Sequence, residues 1–134
     1  CIRDRYYFVD LPGYGFAKRP EEDKRRWSAL TDGYFTKNPN IDCLRAVVQL
    51  VDSRIGATKD DLMMIDFMNR SGLPYIIAAT KTDKLNRTER EKNLAALAAS
   101  EFIAPGTVII PFSSLKGEGK DELTREILRR VAEK

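Results

Sequence analysis

Histidine is absent from all 134 residues. Its absence excludes Ser-His-Asp and Cys-His nucleophile relays, histidine-bound zinc and any imidazole acid–base step. Cysteine is scarce. Cys1 and Cys43 are the only two, too few for a zinc site of their own and a poor disulfide framework, so free thiols in a reducing, cytoplasmic compartment are expected. No apolar run approaches the ~20 residues of a membrane span, and no secretory leader pattern opens the sequence, so no membrane partner is expected. Excess charge of one sign is also lacking: 23 Lys+Arg stand against 20 Asp+Glu, a net of +3. That balance permits an anionic partner without predicting one. What is present, 43% hydrophobic and 32% charged residues, suits one globular domain and excludes a disordered tail.

Short apolar runs alternate with helical patterns along the chain. Residues 6–9 (YYFV) end at Asp10, 44–51 (LRAVVQLV) at Asp52, 75–79 (YIIAA) at Thr80-Lys81, and 107–110 (TVII) at Pro111. Runs of this kind, bounded by Gly, Pro and Asp, read as strands buried on both faces. Pro20, followed by Glu21, Glu22 and Asp23, starts a helix with Trp27, Leu30 and Tyr34 on one face. Thr58 with Asp61, and Thr88 with Glu91, have the spacing of capping boxes. Leu123, Ile127, Leu128 and Val131 form one stripe of a last helix. Trp27, the Met63-Met64-Met68 cluster and these Leu stripes read as core packing. The alternation predicts an α/β fold with a mainly parallel sheet, whose ligands sit beyond the carboxyl ends of the strands.

Three segments follow strand ends. Asp10-Leu11-Pro12-Gly13 offers a carboxylate able to hold Mg²⁺ and a glycine whose N–H can approach an anion; alone it reads as a tight turn. Thr80-Lys81-Thr82-Asp83 offers a carboxylate fork. Guanine presents adjacent N1–H and N2–H₂ donors, whereas adenine would aim a lone pair at the charge. The Lys81 stem could cover the base or sugar. Ser113-Ser114-Leu115-Lys116-Gly117 could present backbone N–H groups to guanine O6. Each of these two alone is an ordinary loop. Together, in this chain order, the three predict a guanine-nucleotide domain.

The extended run 8–17 (FVDLPGYGFA), 48–54 (VQLVDSR) leading into 58–61 (TKDD), 80–83 (TKTD) and 113–119 (SSLKGEG) resembles the EngB (YihA/YsxC) family of bacterial GTPases along the whole chain. The resemblance implies a P-loop GTPase-type sheet flanked by helices, and a role in large ribosomal subunit assembly and in cell division and septation. It implies that Asp10 holds Mg²⁺ through water and that the Gly13 N–H senses the γ-phosphate of GTP. Leu11 and Pro12 would open a second switch that runs to about Trp27. Asp83 would read guanine, Thr80 and Lys81 would pack beside the nucleoside, and Ser113, Ser114 and Leu115 would complete the base contacts. Tyr14 stands where many GTPases place a water-orienting Gln, so slow intrinsic hydrolysis is expected, with Gly13 and Tyr14 as the candidate catalytic positions. The intact protein is expected to be a monomer.

The pattern departs from the family at its front. No two glycines are spaced as a Gly-x-x-x-x-Gly-Lys-[Ser/Thr] phosphate loop requires. Residues 1–134 are therefore expected to be the C-terminal portion of a single G domain, lacking the first strand, the P-loop and the first switch. The strands ending at Asp10 and Asp52 would then pair with each other or present bare edges, and the chain alone would bind GTP or GDP weakly and be inactive. Two other readings remain. One is a non-catalytic module docking on the ribosome or its RNA, with Lys18, Arg19, Lys24, Arg25 and Arg26, and Arg125, Arg129 and Arg130, as its basic groups. The other is a different bacterial GTPase, against which Tyr14-Gly15 and Thr80 argue.

Overall fold

The computed structural model describes residues 6–11 and 33–132. The chain divides into two compact units, Cys1–Leu44 and Arg45–Lys134.

In the first unit, residues 33–36 form a helical turn in which Phe35 is buried, its ring meeting Tyr34 edge to face at 5.2 Å. A short 3-10 turn, Ile41–Cys43, follows. The strand expected over 6–9 is not there. Residues 6–11 are irregular, and Tyr7 and Phe8 are 85% and 83% exposed. The physical reason is pairing. A strand exists only where a neighbour takes its N–H and C=O groups, and no described strand does so here. Most of the helix expected from Pro20, including Trp27 and Leu30, lies outside the described residues.

The second unit is a parallel sheet with helices between its strands. β1 (Val47–Asp52), β2 (Tyr75–Thr80) and β3 (Ile109–Pro111) lie in the order β1-β2-β3. The register sets Val51 beside Ala79 and Asp52 beside Thr80, with Ala79 beside Pro111 on the other flank. All three carboxyl ends thus reach the same rim of the sheet. β2 is the central strand, and Ile76, Ile77, Ala78 and Ala79 are wholly buried, as expected of a strand covered on both faces. β1 departs from that expectation. Gln49 and Val51 are buried, but Leu50 between them is 61% exposed, because β1 is an edge strand whose second face no described element covers.

α1 (Lys59–Ser71) starts as its sequence requires. Thr58 accepts from the Asp61 N–H at 3.2 Å, and the Asp61 carboxylate accepts from the Thr58 N–H at 2.9 Å. The other oxygen of Asp61 takes the Gln49 amide at 3.2 Å, pinning the helix to β1 through a buried polar pair. Met64, Ile65 and Met68 enter the core, whereas Met63 is 63% exposed and leaves the expected cluster.

α2 (Arg87–Ala98) is capped two residues earlier than Thr88 and Glu91 suggest. Asn86 and Glu89 make the reciprocal box instead. α3 (Lys120–Ala132) buries none of its stripe fully, and Leu128 is 48% exposed. Leu123, Ile127 and Val131 are half-buried, so the apolar stripe is only partly covered.

Candidate functional site

The rim formed by the three strand ends collects the chemistry. β1 ends at Asp52, and Arg54, two residues on, folds back on it. The Arg54 N–H donates to Asp52 Oδ1 at 2.9 Å, while Arg54 Nη2 and Nε reach the two carboxylate oxygens at 2.8 and 3.1 Å. Lys81 Nζ, from the loop after β2, lies 3.5 Å from Asp52 Oδ2. The Arg54 fork holds the Asp52 carboxyl down at about 2, against an ordinary 3.8, with Lys81 adding to the effect.

Because this pKa is depressed in the folded state, the stabilisation it represents is complete above the ordinary carboxylate range. It is lost as pH falls through the lowered value. Thermal melts between pH 5 and about 2 should therefore show a loss of stability that is smaller in the Arg54→Gln variant by the Asp52 share. An identical profile in the two proteins would contradict the assignment.

β2 ends at Thr80, whose hydroxyl donates to the Val51 carbonyl at 3.3 Å and whose carbonyl accepts from the Ser53 hydroxyl. The side chain of Thr80 is thus spent on holding β1 to β2. Lys81 takes a left-handed conformation, φ 60° and ψ 32°, a region that costs an L-residue energy. This bend turns the chain into the short 3-10 turn Thr82–Lys84. Thr82 is 3% exposed, and its N–H and hydroxyl both reach the Phe112 carbonyl, at 3.3 and 3.1 Å.

Asp83 is half-buried. Its Oδ1 accepts from Ser113 Oγ at 2.8 Å. The Ser113 hydroxyl also receives the Lys116 N–H at 3.1 Å, so its one proton is committed to Asp83. Among the described residues no hydrogen bond reaches Asp83 Oδ2, although the Arg54 charge acts on this carboxylate from nearby.

In the loop after β3, Ser113 is 1% exposed and its N–H donates to the Glu118 carbonyl at 3.0 Å. That bond closes the loop as an isolated antiparallel bridge. Ser113 therefore serves through its hydroxyl, because its N–H is taken. Ser114 and Leu115 are exposed, and no described group accepts their N–H bonds. They are the donors this loop can offer a ligand.

Lys81, Asp83, Ser113, Ser114 and Leu115 thus come from two neighbouring loops joined by a hydrogen bond. The other sequence candidates are placed differently. Asp10, exposed, and Leu11, half-buried, belong to the first unit. Pro12, Gly13 and Tyr14 lie outside the described residues. Among the described residues no group of three or more His, Cys, Asp or Glu could hold a metal ion. The motif-by-motif reading missed Asp52 as the anchor of Lys81, and it gave no role to Arg54. The run VDSR was the available signal, an acid at a strand end followed two residues later by a guanidinium.

No protein-family model matches the chain. The Probable GTP-binding protein EngB of Halothermothrix orenii is 44% identical over 134 residues, covering 97% of this chain and 64% of that protein. The Geobacillus kaustophilus protein of the same name is 40% identical over 131 residues, covering 98% of this chain and 66% of that protein. The chain thus spans just under two thirds of the length of these curated relatives. The crystal structure of a probable GTP-binding protein engB superposes with a TM-score of 0.70 at 23% identity, over 93% of this chain and 76% of that one. Translation elongation factor SelB of Methanococcus maripaludis, in its apo form, gives 0.70 at 19% identity, over 94% of this chain and 25% of its own. The solved structures support the fold, a P-loop GTPase-type parallel sheet. The sequence identity, sustained from end to end, goes further: the chain belongs to the EngB family.

Proposed function

We propose that the chain binds a guanine nucleotide at the rim of its sheet, with the base read by Asp83. The observation that carries this reading is the state of that carboxylate. One oxygen is held by Ser113, the other is open, and the unclaimed N–H groups of Ser114 and Leu115 lie on the loop that Ser113 begins. Guanine N1–H and N2–H₂ suit the carboxylate, and guanine O6 suits the N–H groups. Adenine matches neither. Lys81, tethered at its tip to Asp52, offers its aliphatic stem as a cover for the nucleoside.

On this reading residues 1–134 contribute to a single EngB-type G domain that hydrolyses GTP slowly, with Gly13 and Tyr14 at the reacting end. One carboxylate suits Mg²⁺, an ion that keeps several waters and takes its remaining ligands from phosphate oxygens. Asp10 would hold it through water, and the ion would supply charge neutralisation at the phosphates. The cellular role we propose is the one the family resemblance implies: large ribosomal subunit assembly and normal cell division, carried out by a cytoplasmic monomer with the ribosome or its RNA as partner. No helix among the described residues is long and apolar enough to cross a membrane.

The competing reading, an RNA-docking module that does not bind nucleotide, draws little from α3. Arg129 Nη2 and Arg130 Nε both engage Glu126, at 2.6 and 2.9 Å, which offsets part of the charge on that basic face.

The test is an NMR titration of the 134-residue chain with GDP and with ADP to millimolar concentration, a range that also reads weak binding. GDP should shift the resonances of Asp83, Ser114 and Leu115 and saturate at least about tenfold earlier than ADP. Equal responses to the two nucleotides would refute guanine recognition.

A further inference from the structure

The loops after β2 and β3 are joined on two sides of the same turn. On one side Ser113 Oγ donates to Asp83 Oδ1. On the other, the Glu118 carboxylate accepts from Arg90 Nη1 at 2.7 Å and lies 3.2 Å from Thr82 Oγ1, sharing that hydroxyl's one proton with the Phe112 carbonyl. Thr82 precedes Asp83 in the chain and is almost wholly buried. The Glu118 carbonyl takes the Ser113 N–H at 3.0 Å. Glu118 therefore grips both supports of the Asp83 carboxylate, Thr82 through its side chain and Ser113 through its main chain. Arg90, on α2, fixes Glu118 from outside and holds its carboxyl below the ordinary range.

We propose that Glu118, held by Arg90, is a positioning residue that aims the Asp83 carboxylate and so sets how strongly the site demands the exocyclic amine of guanine. This inference rests on the guanine reading above. Two parallel hydrogen bonds to N1–H and N2–H₂ require both oxygens in one plane at fixed spacing. A carboxylate freed to swing keeps a bond to N1–H more readily than it keeps both. The Arg90 and Glu118 side chains are 34% and 37% exposed, so their pairing adds little to overall stability. Selectivity and stability should therefore separate when it is broken.

Inosine diphosphate retains N1–H and O6 and lacks only the amine, so the ratio of GDP to IDP affinity reports the second bond alone. In the 134-residue chain, titrated by NMR to millimolar ligand, Glu118→Ala and Arg90→Gln should each lower that ratio by about fivefold. The melting temperature should move by only a few degrees. Arg90→Lys, which keeps a cation facing Glu118, should recover most of the ratio. A ratio unchanged in both disruptive variants would overturn the proposal. So would a wild-type chain that prefers GDP to ADP yet does not distinguish GDP from IDP, a result that leaves guanine recognition standing. A wild-type chain with no preference for GDP over ADP removes the guanine reading, and this inference with it. Loss of folding in Arg90→Gln also overturns the proposal, since it would make the pair a structural support rather than an aiming device.

Discussion

Replacing Asp83 by Asn should cut GDP affinity by roughly 10- to 100-fold and raise that for xanthosine diphosphate. A hydrogen bond to a charged group contributes about 1.5–3 kcal/mol, which sets the first figure. The direction of the second follows from the Ser113 contact. Ser113 Oγ has one proton, and it goes to Oδ1 of the side chain at 83. An amide placed there keeps its carbonyl oxygen against that proton and turns its NH₂ to the open side. Guanine then meets an amide donor with its own amine donor. Xanthine carries a carbonyl oxygen at that position and finds a partner. Titration of the variant with both diphosphates measures the exchange. Unchanged affinity for GDP would mean that Asp83 does not touch the base.

The second large effect is expected at Gly119, the last residue of the loop before α3. Its φ is +80°, and a Cβ built on it would lie 2.1 Å from the Pro111 carbonyl oxygen. Both obstacles are backbone. The left-handed conformation costs an L-residue about 1–2 kcal/mol, and the oxygen belongs to the end of β3, which is paired with Ala79. Gly119→Ala should therefore destabilise the chain by more than about 2 kcal/mol. The carbonyl of Gly119 also accepts the Leu123 N–H that begins α3, so the strain falls on both helix and strand. Denaturant unfolding of the variant is the measurement. A loss below about 0.5 kcal/mol, the range of ordinary surface changes, would contradict the geometry described for this turn. Gly56→Ala is a useful comparison. Gly56 has φ +76° but nothing near its Cβ position, so it should show the conformational cost without the collision.

The three strands of the sheet were legible because their signals are local. Apolar runs stop at Asp52, Thr80 and Pro111, and the strands stop within a residue of them. The Thr58–Asp61 cap was legible for the same reason. The α2 cap was not, because two overlapping patterns compete: Asn86 with Glu89, and Thr88 with Glu91. The chain adopts the earlier one, where Asn is the stronger cap and the helix gains residues. Residues 6–9 misled because aromatic and β-branched content measures fitness for a sheet, and it does not supply the neighbouring strand. At the site, the positions of Asp83 and Ser113 after their strands could be read, but the bond between them could not. Nor could Arg90 with Glu118, which are 28 positions apart. Such pairs exist only once the crossover through α2 has brought β3 beside β2. The VDSR run was visible, yet the left-handed turn that delivers Lys81 to Asp52 was not.

That turn at Lys81 has a consequence for anyone engineering the molecule. A non-glycine residue held at φ 60° is a place where the fold and its use ask for different amino acids. Glycine, asparagine and aspartate occupy that conformation with less strain. A variant library screened on heat resistance alone would drift towards them at position 81. It would lose the side chain that reaches Asp52 and, on our proposal, shelters the nucleoside. Screening for thermal tolerance and for nucleotide retention together would keep the lysine.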